Sequence, residues 1–148
     1  MIDLYTWHTP NGRKVSIMLE EIGMPYNTFP INIAKDEQFQ PHFLEVSPNN
    51  RIPAIVDKEN NNYSLFESGA ILMYLAEKSG KLINKSNSDE YYRTIEWLMW
   101  QMGGVGPMFG QVHHFVKYNK GKSAYAEERY SKEARRLYGV MDKRLGQH

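Results

Sequence analysis

The chain has 148 residues, of which 41% are hydrophobic and 24% are charged, and its formal net charge at pH 7 is +1. This composition indicates an ordinary globular protein with room for one domain and part of a second. Its near-neutral balance argues against a nucleic-acid-binding surface. The absence of cysteine excludes a disulfide framework, a thiolate metal site and a redox thiol pair. No apolar run is long enough to span a membrane, and the N-terminus is not a signal peptide. The sequence therefore predicts a soluble, cytoplasmic protein that does not bind membranes.

The first third of the chain has the pattern of a strand–helix–strand unit. The apolar run Ile2–Trp7 predicts a buried strand. Thr9 and Pro10 then have the chemistry of a helix start, as N-cap and first helical residue. The helix has an apolar face and ends at Gly23. Residues 26–33 alternate in polarity and predict a second strand.

The pattern continues as helix, hairpin and helix. Residues 36–46 predict a short irregular helix that contains Pro41. The segments 54–57 and 63–66 flank a polar loop suited to a hairpin, and residues 68–78 are helical. A mixed four-stranded sheet with flanking helices is the arrangement of the thioredoxin-like fold.

The remainder of the chain is helical. We expect a domain of residues 1–83, a linker at 84–88 and an all-α segment of residues 89–148. The glycines of Gly103–Pro107 are expected to kink or narrow a helix. Two amphipathic helices cannot bury both apolar faces alone, so the sequence indicates an incomplete, C-terminally truncated helical domain.

Glu67 and Ser68 stand where an extended run becomes helical. A carboxylate, a hydroxyl and the free amides of a helix start together suit a small zwitterion: Glu67 pairs with its ammonium group, while Ser68 and the amides hold its carboxylate. The alternative is an ordinary helix start, where both residue types are common.

Ile52–Pro53 adds a second element. A cis bond there would turn the backbone of Ile52 outward, so that its amide and carbonyl pair with a peptide ligand as a strand edge does. The alternative, an ordinary trans proline at a strand edge, is the more frequent arrangement in proteins.

The turn Thr9–Gly12 lies between the first strand and the first helix. Because the chain has no sulfhydryl group, any thiol chemistry must use sulfur from a ligand, and the Thr9 hydroxyl and Asn11 amide can donate to a bound thiolate. Alternatively, Thr9 only caps the helix and Asn11 only forms the turn. Tyr5 is a rival thiol activator, although a position inside the first strand favours core packing.

These motifs resemble the glutathione transferases, and most closely the nu-class branch that includes bacterial disulfide-bond oxidoreductases. The resemblance covers essentially the whole chain. It rests on four segments: Thr9–Gly12, Ser47–Pro53, Leu65–Ile71 and the run from Trp100 to Phe115 that contains the glycines.

The resemblance implies a role for each site residue. Thr9 and Asn11 would face the glutathione sulfur, Gln38 would reach the glycyl end, and Glu67 and Ser68 would hold the γ-glutamyl group. The other implied glutathione contacts come from Arg51, Ile52, Pro53 and, from a neighbouring subunit, Arg129. The implied protein is a homodimer that uses glutathione and no metal.

Two functions follow from the resemblance. The first is an enzyme that reduces small disulfides or organic hydroperoxides with glutathione and conjugates electrophiles weakly. The second is a binding or regulatory protein that keeps the transferase fold without useful turnover.

Overall fold

The computed structural model describes residues 1–147; His148, the last residue of the predicted helical segment, lies outside the described residues. The chain divides into two compact units whose boundary lies between Tyr91 and Tyr92. This boundary falls inside a helix that begins at Ser88. The predicted linker at 84–88 ends on the first residue of that helix, and it stays a prediction.

The first unit is a mixed four-stranded sheet with helices, as the sequence predicts. The strands are β1 (Ile2–Thr6), β2 (Tyr26–Pro30), β3 (Ala54–Asp57) and β4 (Tyr63–Phe66), and the helices are α1 (Pro10–Ile22), α2 (Pro41–Leu44) and α3 (Ser68–Ser79). The strand order is β2–β1–β3–β4. β1 is parallel to β2, whereas β3 is antiparallel to both β1 and β4. This is the thioredoxin-like arrangement.

The segment between β2 and β3 is the least regular part of this unit. β2 ends at Pro30 rather than at residue 33, and two 3₁₀ turns, Ile33–Lys35 and Glu37–Phe39, precede α2. Pro41 is the first residue of α2, the helical position where a missing N–H removes no hydrogen bond. The proline therefore begins a helix here and does not break one.

The sheet buries apolar side chains on both faces, because successive residues of a strand point to opposite sides. One face joins β1 and β3 to α1 and α3 through a cluster that includes Leu4, Leu19, Ile55, Ile71 and Leu75. A smaller cluster on the second face contains Ile31, Phe43 and Ala54.

Gly12 lets the first turn of α1 approach the end of β1. A Cβ atom at this position would overlap the Thr6 hydroxyl oxygen and would lie only 2.5 Å from the Trp7 carbonyl oxygen. Only glycine avoids that overlap. The Thr9–Gly12 turn is thus held directly against the sheet.

An ion-pair network closes the opposite end of the sheet. The buried Asp57 carboxylate accepts hydrogen bonds from Tyr74 (2.6 Å) and the Glu59 amide (3.0 Å), and it pairs with Lys78 at 2.7 Å. Burial raises the pKa of Asp57, but the hydrogen bonds from Lys78, Tyr74 and Glu59 outweigh it and leave that pKa below its ordinary value. The network ties the C-terminal half of α3 to the β3–β4 hairpin.

The second unit is helical and contains α4 (Ser88–Trp100), which begins in the first unit, α5 (Gly106–Val112) and α6 (Ala124–Leu145). Residues 101–105 and 113–118 are π-helical and continue the helix on either side of α5. The predicted kink is therefore a widened turn before Pro107, which has no N–H to donate to the carbonyl four residues back. Within residues 1–147, no helix is long and apolar enough to cross a membrane.

We expect Gly12→Ala to lower the free energy of unfolding by about 2 kcal/mol, because the new methyl group overlaps backbone and side-chain atoms that cannot move apart freely. Urea denaturation followed by circular dichroism measures this change. Gly139→Ala in α6 is the matched control, since a Cβ there meets nothing within 4 Å and alanine has the higher helix propensity. Equal stability of both variants would contradict the prediction.

We expect Asp57→Asn to lower the free energy of unfolding at pH 7 by about 2 kcal/mol, the contribution of hydrogen bonds to a buried charge. Because the folded pKa is lowered, this contribution is complete above the ordinary aspartate pKa of about 3.9 and is lost as the pH falls through the lowered value. Urea midpoints between pH 2 and 7 should therefore depend less on pH in the variant. An unchanged acid profile would contradict this account.

Candidate functional site

The strand register brings the three predicted site segments to one edge of the sheet. Tyr5 in β1 is paired with Ala54 in β3, and Ala54 is paired with Phe66 in β4. The chain leaves this row toward the Thr9 turn after β1, enters it from Ile52–Pro53 before β3, and leaves it toward Glu67 after β4. Segments far apart in sequence therefore lie side by side.

Thr9 caps α1 and keeps a donor available. Its hydroxyl oxygen accepts a hydrogen bond from the Gly12 amide at 3.1 Å. A hydroxyl that accepts one hydrogen bond still has its own proton to donate. Capping and donation to a ligand are therefore compatible, although the sequence presents them as alternatives.

Asn11 follows at the start of α1 and is exposed. Among residues 1–147, no hydrogen bond of its side-chain amide is found. The amide can therefore donate to a ligand at the same helix start as the Thr9 hydroxyl.

The loop before β3 has a fixed shape. The Ile52–Pro53 peptide bond is cis, as the sequence hypothesis requires. The buried Ser47 hydroxyl donates to the Arg51 carbonyl at 2.8 Å, and the Asn50 amide donates to the Ser47 carbonyl at 2.9 Å. Within the described residues, the amide and carbonyl of Ile52 make no backbone hydrogen bond. These two groups can therefore pair with the backbone of a ligand, as the edge of a strand does.

Glu67 stands at the N-cap position of α3 in an unusual conformation, with φ 70° and ψ 111°. A positive φ is costly for a residue with a side chain, by about 1–3 kcal/mol. Its carboxylate accepts a weak hydrogen bond of 3.4 Å from the Asn49 side chain. Asn49 belongs to the loop before the cis proline, so this contact joins two segments of the site.

Lys14, one turn into α1, contributes a positive charge. Burial lowers the pKa of Lys14, and the negative charge of Glu67 acts in the opposite direction. The lysine and the glutamate therefore share one electrostatic environment. The site has a cation and an anion on two different helices.

Ser68 and Gln38 are both buried polar residues. Ser68, the first residue of α3, is 4% exposed and lies at the positive end of the helix dipole. Gln38, in the turn before α2, is 7% exposed; its amide nitrogen lies 3.4 Å from Asp36, and its carbonyl oxygen has no partner within residues 1–147. A buried oxygen without a partner is an acceptor that a ligand amide can satisfy.

Three other residues considered in the sequence analysis have different surroundings. Tyr5 stacks on Phe29, with ring centroids 5.0 Å apart, and packs against Phe43; these contacts support the core-packing interpretation over thiol activation. Arg129 is exposed on α6 in the second unit, and its proposed contact with a neighbouring subunit stays a prediction. Arg51 is exposed in the loop before β3.

Comparison with known proteins gives the family. A model described as "Glutathione S-transferase, N-terminal domain" matches residues 1–77. The disulfide-bond oxidoreductase YfcG of Escherichia coli (strain K12) is 50% identical over 149 residues, which cover 98% of this chain and 69% of that protein. The chain belongs to the glutathione transferase family.

Two solved structures support this result. A glutathione transferase family member from Pseudomonas fluorescens pf-5 with two glutathione molecules bound has a TM-score of 0.93 and 54% identity, and 98% of this chain and 66% of that one are covered. A transferase from Pseudomonas putida with one glutathione disulfide per subunit has a TM-score of 0.91 and 47% identity, covering 99% and 66%. The chain thus spans about two thirds of the length of each of these three proteins.

The sequence interpretation did not include Lys14 or Asn49 among the site residues. Asn49 lies in the segment Ser47–Pro53 on which the resemblance rests, but the resemblance implies no role for it. Lys14 lies three residues after Asn11, about one helical turn away, and this spacing is the one signal in the sequence that places it beside the site. Its proximity to Glu67 depends on how α1 packs against α3.

We expect Glu67→Gly to raise the free energy of unfolding by about 1 kcal/mol, because glycine adopts a positive φ without strain, and to weaken glutathione binding, because the carboxylate is lost. Glu67→Gln is the matched control, which removes the charge and keeps the strain. It should weaken binding similarly without a gain in stability. Thermal unfolding and isothermal titration calorimetry measure the two effects, and a destabilised Glu67→Gly would contradict the strain argument.

Proposed function

We propose that this chain binds glutathione at the shared sheet edge and that its glutathione thiolate reduces small disulfides. The observation that carries the proposal is the row Tyr5–Ala54–Phe66, which joins a thiolate-facing turn, a free strand edge and a zwitterion site. Glutathione presents these same features in order: a thiol on its central residue, a peptide backbone and a γ-glutamyl group. Relatives that carry bound glutathione or glutathione disulfide support the same assignment.

The site residues have distinct roles in the proposed complex. Thr9 and Asn11 donate to the sulfur, and Ile52, held by Pro53 and by the Ser47–Arg51 hydrogen bond, pairs with the ligand backbone. Gln38 accepts from the glycyl end. Glu67 and Ser68 hold the γ-glutamyl group.

The proposed thiolate stabilisation is of the right size. A free thiol has a pKa of about 8.5, so an ionised one at neutral pH needs roughly 2 kcal/mol. The N-terminus of α1 supplies about 0.3–1 kcal/mol. One hydrogen bond to the charged sulfur adds about 1.5–3 kcal/mol. The helix and one donor together are therefore sufficient.

The proposed reaction balances with two glutathione molecules. The bound thiolate attacks one sulfur of the disulfide, a mixed disulfide forms, and the other sulfur leaves as a thiolate that takes up a proton. A second glutathione thiolate then attacks the glutathione sulfur of the mixed disulfide, which yields glutathione disulfide and a second thiol. The chain has no cysteine, so none of its own residues forms a mixed disulfide. Organic hydroperoxides are a second proposed substrate, reduced to the alcohol and water.

Further features belong to the same proposal. We place the protein in the nu-class branch, as a homodimer whose interface includes Gly103, because that glycine is exposed with no atom within 4 Å of a Cβ position. Arg129 would reach the partner's site. A cytoplasmic location fits a reaction that consumes reduced glutathione, which the cytosol maintains.

We expect Asn11→Ala to lower the rate of disulfide reduction at least tenfold, because the thiolate loses a donor, while glutathione affinity changes less. Titration of the thiolate absorbance of bound glutathione should give a higher thiol pKa than in the parent protein. Tyr5→Phe is the control, since Tyr5 has a packing role. A thiol pKa that is unchanged by Asn11→Ala and raised by Tyr5→Phe would transfer the role to Tyr5.

The disulfide-reduction assay, combined with retention on immobilised glutathione, distinguishes the enzyme from the alternative, a binding or regulatory protein. Retention on immobilised glutathione without turnover of any disulfide or hydroperoxide would favour the alternative. Absence of retention in a folded sample would exclude both.

A further inference from the structure

We propose that Lys14 is the cation that pairs with the α-carboxylate of the γ-glutamyl group, beside Glu67, which pairs with the ammonium. This inference rests on the proposed function and names a further specificity-determining residue of the same site.

The positions of the two helices bring Lys14 and Glu67 together. α1 and α3 begin at the same sheet edge and pack on each other through a common apolar cluster that includes Val15, Leu19 and Ile71. Val15 follows Lys14 directly and is fully buried. Lys14 itself is half-buried, as expected for a lysine whose aliphatic stem lies along the protein surface. The negative charge of Glu67 raises the pKa of Lys14 against the larger effect of burial, which supports the placement of both residues on the side of the site where α1 and α3 begin.

The charge pattern of this pair matches the ligand. The γ-glutamyl group carries an ammonium and a carboxylate on one carbon, so a complementary site needs an anion and a cation close together. Glu67 supplies the anion. The start of α3 supplies only a partial positive charge, equivalent to roughly half a unit, whereas Lys14 supplies a full one.

When the ligand binds, each of the two protein charges meets a ligand group of opposite charge. In the free protein, Lys14 and Glu67 act on each other. In the complex, the ligand ammonium faces Glu67 and the ligand carboxylate faces Lys14, so charges of opposite sign alternate around the site. A ligand that lacks the carboxylate or the ammonium loses one of these two contacts, and the resulting difference in affinity is a source of specificity.

Three ligands and two substitutions of Lys14 test the assignment. The ligands are glutathione, its 4-aminobutyryl analogue without the α-carboxylate, and its glutaryl analogue without the ammonium. We expect Lys14→Met to weaken binding of glutathione and of the glutaryl analogue about tenfold, and to leave binding of the 4-aminobutyryl analogue unchanged. Lys14→Arg should restore most of the loss. Isothermal titration calorimetry measures all three affinities.

Matched variants separate the outcomes. Arg13→Met removes the adjacent cation of α1, which is exposed and about 100° away around the helix, and it should change no affinity. Glu67→Gln should weaken the 4-aminobutyryl analogue and spare the glutaryl one. Equal weakening of all three ligands by Lys14→Met, or no weakening, overturns the role of Lys14. If the parent protein binds no glutathione, the proposed function itself fails.

Discussion

The position of β3 between β1 and β4 is the constraint on which the site depends. Because β3 runs antiparallel to both neighbours, its first residue, Ala54, lies in the same row as Tyr5, the next-to-last residue of β1, and Phe66, the last residue of β4. A shift by one residue would turn Ala54 and Ile55 to the wrong faces of the sheet, so that the larger Ile55 would point into the smaller cluster around Phe43 and leave its own place in the main cluster. The packing of the core therefore fixes the register, and the register fixes the distance between the segments of the proposed glutathione site.

Local chemistry explains why much of this unit could be predicted. Thr9 and Pro10 begin α1, and the polar loop between β3 and β4 closes a hairpin with the predicted bounds, because these features depend on residues a few positions apart. The family resemblance supplied what local pattern could not, namely the cis bond before Pro53 and the joint role of the segments. The roles of the site residues follow largely from the same resemblance.

Features that depend on distant contacts were less predictable. The influence of the Glu67 charge on the pKa of Lys14 links two segments that are far apart in the sequence, and neither residue has a sequence neighbour that indicates the other. The glycines before Pro107 predict a kink, whereas the helix continues through widened turns. Whether a helix kinks or widens depends on several neighbouring backbone hydrogen bonds together, and not on one residue. The irregular segment between β2 and α2, which holds Gln38, has no strong periodicity.

The C-terminal end of α3 is held by strong side-chain contacts, whereas its N-terminal end is held weakly, and this difference suits a binding site. At the C-terminal end, Lys78 and Tyr74 bind the buried Asp57, an arrangement that favours stability. At the N-terminal end, Glu67 has a strained backbone and an exposed carboxylate with one weak hydrogen bond from a side chain. A charge that must exchange its partner for a ligand ammonium cannot be held tightly in the free protein. The firm end fixes the helix, so the weakly bound carboxylate at the other end is still presented in a defined position.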